Sequence, residues 1–366
     1  MPVSPDHQHA NGEIDIASLH AQDSTGLLAR IDRAVVWDIP LTTPFRGITR
    51  RDGVLLHGPG GWGEVAPFWD YGLEASAPWL ASGLCQALGN SLLPRYRETI
   101  SVNVTVPEVG GQDASDLVRA SGARTAKVKV SGSSDKRSAD LERLEAVRSA
   151  LGRSGKVRID VNGAWDLDTA RENLPLMDRA AGGLEYAEQP CATVYDLADL
   201  RRAVDVPIAA DESIRLSANP LEIVHRRAAD VAILKVAPLG GVHRALDMAE
   251  RLGLPAVVSS ALDTSVGIMA GATLAFSLPS LSHACGLGTT RLLTQDVAEP
   301  SVRPSNGTLR LDAAAPVSER LLNEVKAGPY LTKHWQTRLL HLAGALNARR
   351  QREARDPSRA VAGLPL

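Results

Sequence analysis

The chain has 366 residues, of which 44% are hydrophobic and 22% charged, and its formal net charge is −2. That length exceeds one minimal domain and suits a barrel with a second domain, while the composition supports a large buried core. The near-neutral charge gives no reason to expect nucleic acid or an anionic membrane as partner, and no apolar run approaches the ~20 residues that span a bilayer.

The opening stretch, Met1-Pro-Val-Ser-Pro-Asp-His-Gln-His9, has neither the basic nor the apolar region of a secretion signal. Cys85, Cys191 and Cys285 are widely spaced and odd in number, so reduced thiols in a cytoplasmic protein are expected. Residues 1–28 are polar without sustained period and read as a mobile tail. Residues 33–39 and 54–57 read as short strands joined through Pro40, Pro44 and Gly47. Gly58-Pro59-Gly60-Gly61-Trp62-Gly63-Glu64 then reads as a turn. Its glycines would suit a phosphate, but no helix opening on Lys-Ser/Thr follows. Helical spacing over 74–88 completes a small α+β capping unit, assigned to 29–100.

From residue 101 the texture changes. Short β-rich runs recur at 102–106, 125–130, 157–161, 183–188, 207–211, 231–236, 256–260 and 283–287, separated by Ala/Leu/Arg-rich segments of helical period. Strands alternating with helices argue for parallel pairing, and such units filling about 190 residues predict a closed (β/α)8-type TIM barrel over 101–300. A doubly wound open sheet is the competing arrangement; it lacks a Gly-x-Gly-x-x-Gly after the first strand. The sequon Asn103-Val104-Thr105 falls inside a strand run and reads as strand, not as a glycosylation site. Residues 301–366 hold Pro-rich connections and a helical segment over 331–355. Its basic end (Arg349, Arg350, Arg352, Arg355) reads as a solvated helix face or frayed tail.

The polar residues at the strand ends carry the chemistry. The second run ends Lys127-Val128-Lys129, the third Asp160-Val161-Asn162 and the fourth Glu188-Gln189-Pro190. The fifth ends Asp211-Glu212-Ser213 and the sixth Leu234-Lys235. Period-two alternation puts Lys127 with Lys129, and Asp160 with Asn162, on one face at the barrel mouth, where barrel enzymes build their sites. Asp160, Glu188 and Asp211 would converge from neighbouring strands. Close carboxylates raise one another's pKa, and a hard divalent cation relieves this; an all-oxygen set suits Mg²⁺, with Mn²⁺ able to substitute. Zn²⁺ would recruit His or Cys, which only His283-Ala284-Cys285 offers. Lys129 and Lys235 would stand on opposite sides of the metal. Burial beside it would lower a lysine's pKa from about 10.4 toward neutrality. The set describes proton abstraction α to a carboxylate, one lysine taking the proton and the other stabilising the enediolate or delivering a proton. A lone acid at a strand end is more often a cap or a loop ion pair, but five such residues at five consecutive strand ends favour catalysis.

These motifs resemble the muconate-lactonising branch of the enolase superfamily. Several stretches resemble its actinobacterial o-succinylbenzoate synthases: Arg124-Thr-Ala-Lys-Val-Lys129, Glu188-Gln-Pro-Cys191, Ala209-Ala-Asp-Glu-Ser-Ile-Arg215, Leu234-Lys-Val-Ala-Pro-Leu-Gly-Gly241, Val258-Ser-Ser-Ala-Leu-Asp263 and His283-Ala-Cys-Gly-Leu-Gly288. The resemblance spans roughly residues 30–315. It implies a cap completed by part of the C-terminal segment and Mg²⁺ on Asp160, Glu188 and Asp211. It further implies Lys129 as general acid/base, Lys235 as the cation that stabilises the enediolate, and Ser259 and Gly286 at the succinyl end of a small-molecule carboxylate substrate. Lys127 and Asn162 would lie near the substrate carboxylate, and Arg46 could reach over the mouth. The implied reaction is dehydration of 2-succinyl-6-hydroxy-2,4-cyclohexadiene-1-carboxylate to o-succinylbenzoate, a menaquinone precursor. N-succinylamino acid racemase uses the same five residues and is the nearest rival; dipeptide epimerase and muconate cycloisomerase stand further off. From another class, a catalytically silent binding barrel would have no use for an intact acid/base pair. The oligomeric state has no sequence signal.

Overall fold

The computed structural model describes residues 12–310 and 316–355. In chain order, helix α1 (Ile16–Gln22) precedes a meander of strands β1 (Arg33–Phe45), β2 (Ile48–Gly58) and β3 (Gly61–Val65), and α2 (Leu73–Ala87) packs upon it. Strand β4 (Thr99–Ser101) follows. The barrel then runs β5 (Val104–Val106), α3 (Gly111–Ser121), β6 (Thr125–Lys129), α4 (Arg137–Leu151), β7 (Lys156–Asp160), α5 (Leu167–Ala180), β8 (Leu184–Glu188) and α6 (Val194–Ala203). It continues with β9 (Ile208–Ala210), short helices α7 (Glu212–Arg215) and α8 (Glu222–His225), β10 (Val231–Lys235), α9 (Val236–Leu239), α10 (Val242–Leu252), β11 (Ala256–Ser259) and α11 (Ser265–Ser277). Strand β12 (Thr308–Arg310) pairs back on β4, and α12 (Glu319–Val325) and α13 (Pro329–Arg355) end the described chain.

Seven barrel strands form one parallel sheet in the order β11-β10-β9-β8-β7-β6-β5. The eighth run does not form a full strand. It closes the barrel through single bridges, Val102 to Cys285 and Ser259 to Gly286, in which Cys285 N donates to Ser101 O at 2.7 Å and Gly286 N to Val258 O at 2.8 Å. A 3₁₀ turn (Thr289–Leu292), not an α-helix, follows it. The helices bury the stripe their sequences encode: α10 turns Val242, Ala245, Met248 and Leu252 inward and stops at Gly253, whose φ of 61° ends the helix in the left-handed region.

The cap is a sheet covered on both faces. Along β1, Ala34 and Val36 face a core made with Leu56, Leu84, Trp335, Leu339 and Leu342, while Val35, Trp37 and Ile39 face a second one with Leu55, Val266, Leu293 and Leu322. The C-terminal helices α12 and α13 therefore complete the cap. The glycine-rich turn is the tip of the β2–β3 hairpin, and its glycines serve packing: a Cβ at Gly63 would fall 1.9 Å from Gly83 O of α2. No phosphate role is needed to account for them. The basic end of α13 is not merely solvated, since Arg352 pairs with Glu74 of α2 at 2.8 Å and Glu353 takes the buried Arg244 of α10.

One expectation is overturned within residues 12–28, which dock rather than dangle. Asp15 caps α1 through Ser18 N, Ile14 N donates to Ala34 O at 2.9 Å, and Val36 N donates to Gly12 O at 2.6 Å. Leu19 and Leu28 are fully buried in the first cap core, and Glu13 pairs with Arg33 and Lys326. A seven-residue helix is too short to show a sustained period, so its few apolar residues resemble scattered ones. The part of the expected tail before residue 12, and the end beyond 355, lie outside the described residues. Among the described residues no helix is long and apolar enough to cross a membrane.

Candidate active site

All nine residues singled out from the sequence meet at the C-terminal end of the barrel strands. Lys127, Lys129, Asp160, Asn162, Lys235, Ser259 and Gly286 line one cavity under the cap; Glu188 and Asp211 lie directly behind it, buried. Register explains the convergence, because Lys129, Asp160 and Glu188 are successive partners across β6, β7 and β8. Strands β6 and β10, which carry Lys129 and Lys235, flank the three that lead into the carboxylates.

The electrostatics are those of a buried charge network. Lys127 Nζ bridges Asp160 Oδ2 at 2.7 Å and Glu188 Oε1 at 2.8 Å. Lys129 Nζ donates to the same Asp160 oxygen and to Asn162 Oδ1, both at 2.6 Å, and Lys235 Nζ donates to Asp211 Oδ2 at 2.5 Å. Burial opposes the charge on Lys127, but Asp160 and Glu188 outweigh it and hold that ammonium well above the ordinary lysine value. Lys129 moves the other way: burial lowers it, helped by the charge on neighbouring Lys127. Two lysines of one Lys-x-Lys motif are thus split into a permanent cation and a potential base. Against burial, Lys127 and Lys129 keep Asp160 well below the carboxylate range, and Arg215 with Lys235 keeps Asp211 at about 2. Glu188 is pushed up to about 7, by burial and then by the charge of Asp160.

Glu188 is therefore a buried carboxylate still short of positive charge. Lys127 joins Asp160 to Glu188 while Lys235 takes Asp211, and among the described residues no three Asp, Glu, His or Cys side chains already stand in metal-holding geometry. The donor set itself is three hard anionic oxygens' worth of side chain without sulfur or imidazole, which fits a hard divalent cation and not Zn²⁺. His283 belongs to the opposite end of the barrel, where its Nδ1 meets Glu185 at 3.0 Å.

Ser259 and Gly286 form the far wall. A Cβ at residue 286 would sit 2.5 Å from Ser259 Oγ, so the glycine leaves room for that hydroxyl. Ser259 Oγ has no protein partner among the described residues; the hydroxyl bonded to backbone is that of Ser260, on Gly286 O at 2.6 Å. Arg46 reaches the cavity from the β1–β2 turn, its guanidinium 4.5 Å from the Phe68 ring centroid and 3.5 Å from Asp70. Sequence reasoning missed Arg215, which is buried and pairs with Asp211 at 3.0 Å, Glu212 at 2.7 Å and Tyr71 Oη at 2.7 Å. Its position four residues after Asp211 on a helical turn was a usable signal. Phe45, Phe68 and Tyr71 of the cap, which roof the cavity, had none.

Residues 36–87 match the enolase N-terminal domain-like family and residues 111–316 the enolase C-terminal domain-like family. Solved structures share the fold. A muconate lactonizing enzyme from Pseudomonas fluorescens superposes with a TM-score of 0.69 at 22% identity, covering 80% of this chain and 98% of its own. A dipeptide epimerase from Cytophaga hutchinsonii, complexed with Mg and a dipeptide, gives 0.67 at 22%, covering 81% and 98%. The domain pair, with acids and lysines at successive strand ends, defines a barrel enzyme of the enolase superfamily. Sequence relatives are narrower: o-succinylbenzoate synthase of Thermobifida fusca is 52% identical over 305 residues, 82% of this chain and 93% of the relative. That of Mycobacterium tuberculosis H37Ra is 46% identical over 314 residues, 86% and 94%. The chain belongs to the o-succinylbenzoate synthase family and is a lyase.

Proposed function

We propose that this chain dehydrates 2-succinyl-6-hydroxy-2,4-cyclohexadiene-1-carboxylate to o-succinylbenzoate, in menaquinone biosynthesis and in the cytoplasm. The observation that carries the reading is the placement of Lys129 and Lys235 on strands either side of three buried carboxylates, facing one roofed cavity. The three free, buried thiols suit a reducing compartment.

Asp160, Glu188 and Asp211 would hold Mg²⁺, which when bound supplies positive charge to the substrate carboxylate as the α-proton leaves. Lys129, lowered by burial, takes that proton at Nζ. It then returns it to the hydroxyl leaving from the same ring face, so that one C–H and one C–O bond break, water departs and the ring becomes aromatic. Lys235 keeps its ammonium and stabilises the enediolate from the other side. Lys127 orients the carboxylate end as a fixed cation, and Asn162 Oδ1 accepts from Lys129 Nζ and so keeps the base in place. Ser259 and Gly286 receive the succinyl end. The roof of Phe45, Phe68 and Tyr71 excludes water from the developing charge.

The test is a pair of substitutions. Lys129→Arg should abolish dehydration, because arginine is not a base, while Lys235→Arg should keep a measurable fraction, because it preserves a cation. Equal loss in both would assign Lys235 a proton-transfer role and favour racemisation of succinylated amino acids, which needs a base on each face.

A further inference from the structure

Two buried charged residues of the cap have no part in the proton chemistry just described, and both grip the same barrel loop. That loop, residues 260–264, follows β11, and Ser259 at the strand's end forms one wall of the cavity with Ser260, Ala261 and Leu262 of the loop. From β3, Glu64 inserts its carboxylate at the start of α11. It accepts from Thr264 N at 3.2 Å, from Gly267 N at 3.2 Å and from the Thr264 hydroxyl. From β2, Arg51 donates through Nη2 to Ala66 O within the cap and, at 3.4 Å, to Ala261 O of the loop.

The barrel side is shaped to receive this. Asp263 Oδ2 accepts from Ala261 N at 3.1 Å, which fixes the loop's own turn. A Cβ at residue 267 would lie 3.1 Å from the Glu64 carboxyl carbon and 3.1 Å from that of Asp263, so both acids lean on the same glycine. Two carboxyl groups this close, both buried, do not ionise together. Burial, then the charge of Asp263, pushes Glu64 up to about 8. The carboxyl oxygens of Glu64 accept all of these hydrogen bonds, which tie the cap to the first turn of α11 in the other domain.

We propose that Glu64, seconded by Arg51, is a positioning residue: it sets the 259–262 wall from the cap and thereby governs how tightly the substrate's succinyl end is held. This rests on the reading of Ser259 and Gly286 as the succinyl wall. Glu64 makes no hydrogen bond to Lys129 on β6 or to Lys235 on β10, which is the register partner of Ser259.

The test is steady-state dehydration kinetics with Mg²⁺ present, together with thermal melting. Glu64→Ala is expected to raise KM about tenfold or more while kcat stays within about threefold. Glu64→Gln, which keeps the shape and an acceptor oxygen, is expected to restore KM to within about threefold of the parent. A Glu64→Ala protein that melts lower but keeps the parent KM would overturn the inference, since the contact would then be structural only. Should Glu64→Ala not fold, Thr264→Ala removes the hydroxyl contact from the barrel side, and its KM decides in the same way. A parent enzyme that fails to dehydrate the cyclohexadiene at all would instead sink the functional reading, whatever the variants do.

Discussion

Replacing Lys127 by methionine keeps the stem of the side chain and removes the charge that joins Asp160 to Glu188. In the structure this ammonium makes two hydrogen bonds, at 2.7 and 2.8 Å, with its own side chain 8% exposed and both acids 1% exposed. Removing one member of a buried ionic group leaves the rest uncompensated, at a cost of about 3–5 kcal/mol. Scaling the unfolding entropy of about 2.1 cal/mol/K per residue to a chain of this length converts that into a fall in Tm of about 4–6 °C in a chelating buffer. The same two acids are the proposed cation ligands, so added Mg²⁺ should replace the missing charge. At a hundredfold excess over its dissociation constant it would return about 2.7 kcal/mol. Melting curves of parent and variant, each with EDTA and with Mg²⁺, measure all four quantities. The variant should gain more from Mg²⁺ than the parent, although its turnover falls for want of a cation at the substrate carboxylate. Equal Mg²⁺ gains in both proteins would refute the reasoning, as would a variant whose Tm in EDTA matches the parent.

Asp211→Asn should lose at least about a hundredfold in kcat/KM while circular dichroism shows the fold retained, because a cation ligand is lost but the hydrogen-bonding shape is kept. Leu19→Ala should cost about 2–5 kcal/mol of stability with unchanged kcat, the loss expected where a fully buried leucine is emptied; a melting curve identical to the parent would mean α1 does not dock. Because burial lowers Lys129 and a base acts only when neutral, kcat/KM should rise with pH and level off below the ordinary lysine value of about 10.4. A rate still climbing through that value would contradict the assignment of Lys129 as the base.

The barrel site was legible because barrel geometry is a strong constraint. Once Lys127 and Lys129 lie on one strand face, and Asp160, Glu188, Asp211 and Lys235 end the following strands, they have one place to meet. The cap's contribution was not legible. Tyr71 reaches Arg215 across 144 positions and Glu64 reaches Thr264 across 200, and no local period encodes such pairings. The eighth run shows the limit of pattern reading from the other side: residues 283–287 look like a strand and close the barrel, yet pair only through single bridges around Cys285 and Gly286. The docking of residues 12–28 was hidden for a thermodynamic reason. Ile14, Leu19 and Leu28 are few, and only the complementary surface of β1, α2 and α13 makes their burial worth the ordering of a short helix.

The reaction this cavity favours separates a dehydratase from a racemase. The measurement is kcat/KM of the Mg²⁺-supplied protein for 2-succinyl-6-hydroxy-2,4-cyclohexadiene-1-carboxylate, followed by loss of its diene absorbance, beside that for α-proton exchange of N-succinylamino acids in ²H₂O. Dehydration exceeding exchange by an order of magnitude or more is the predicted result. Exchange equal to or faster than dehydration would contradict it, and would make both lysines acid/base catalysts of a racemase.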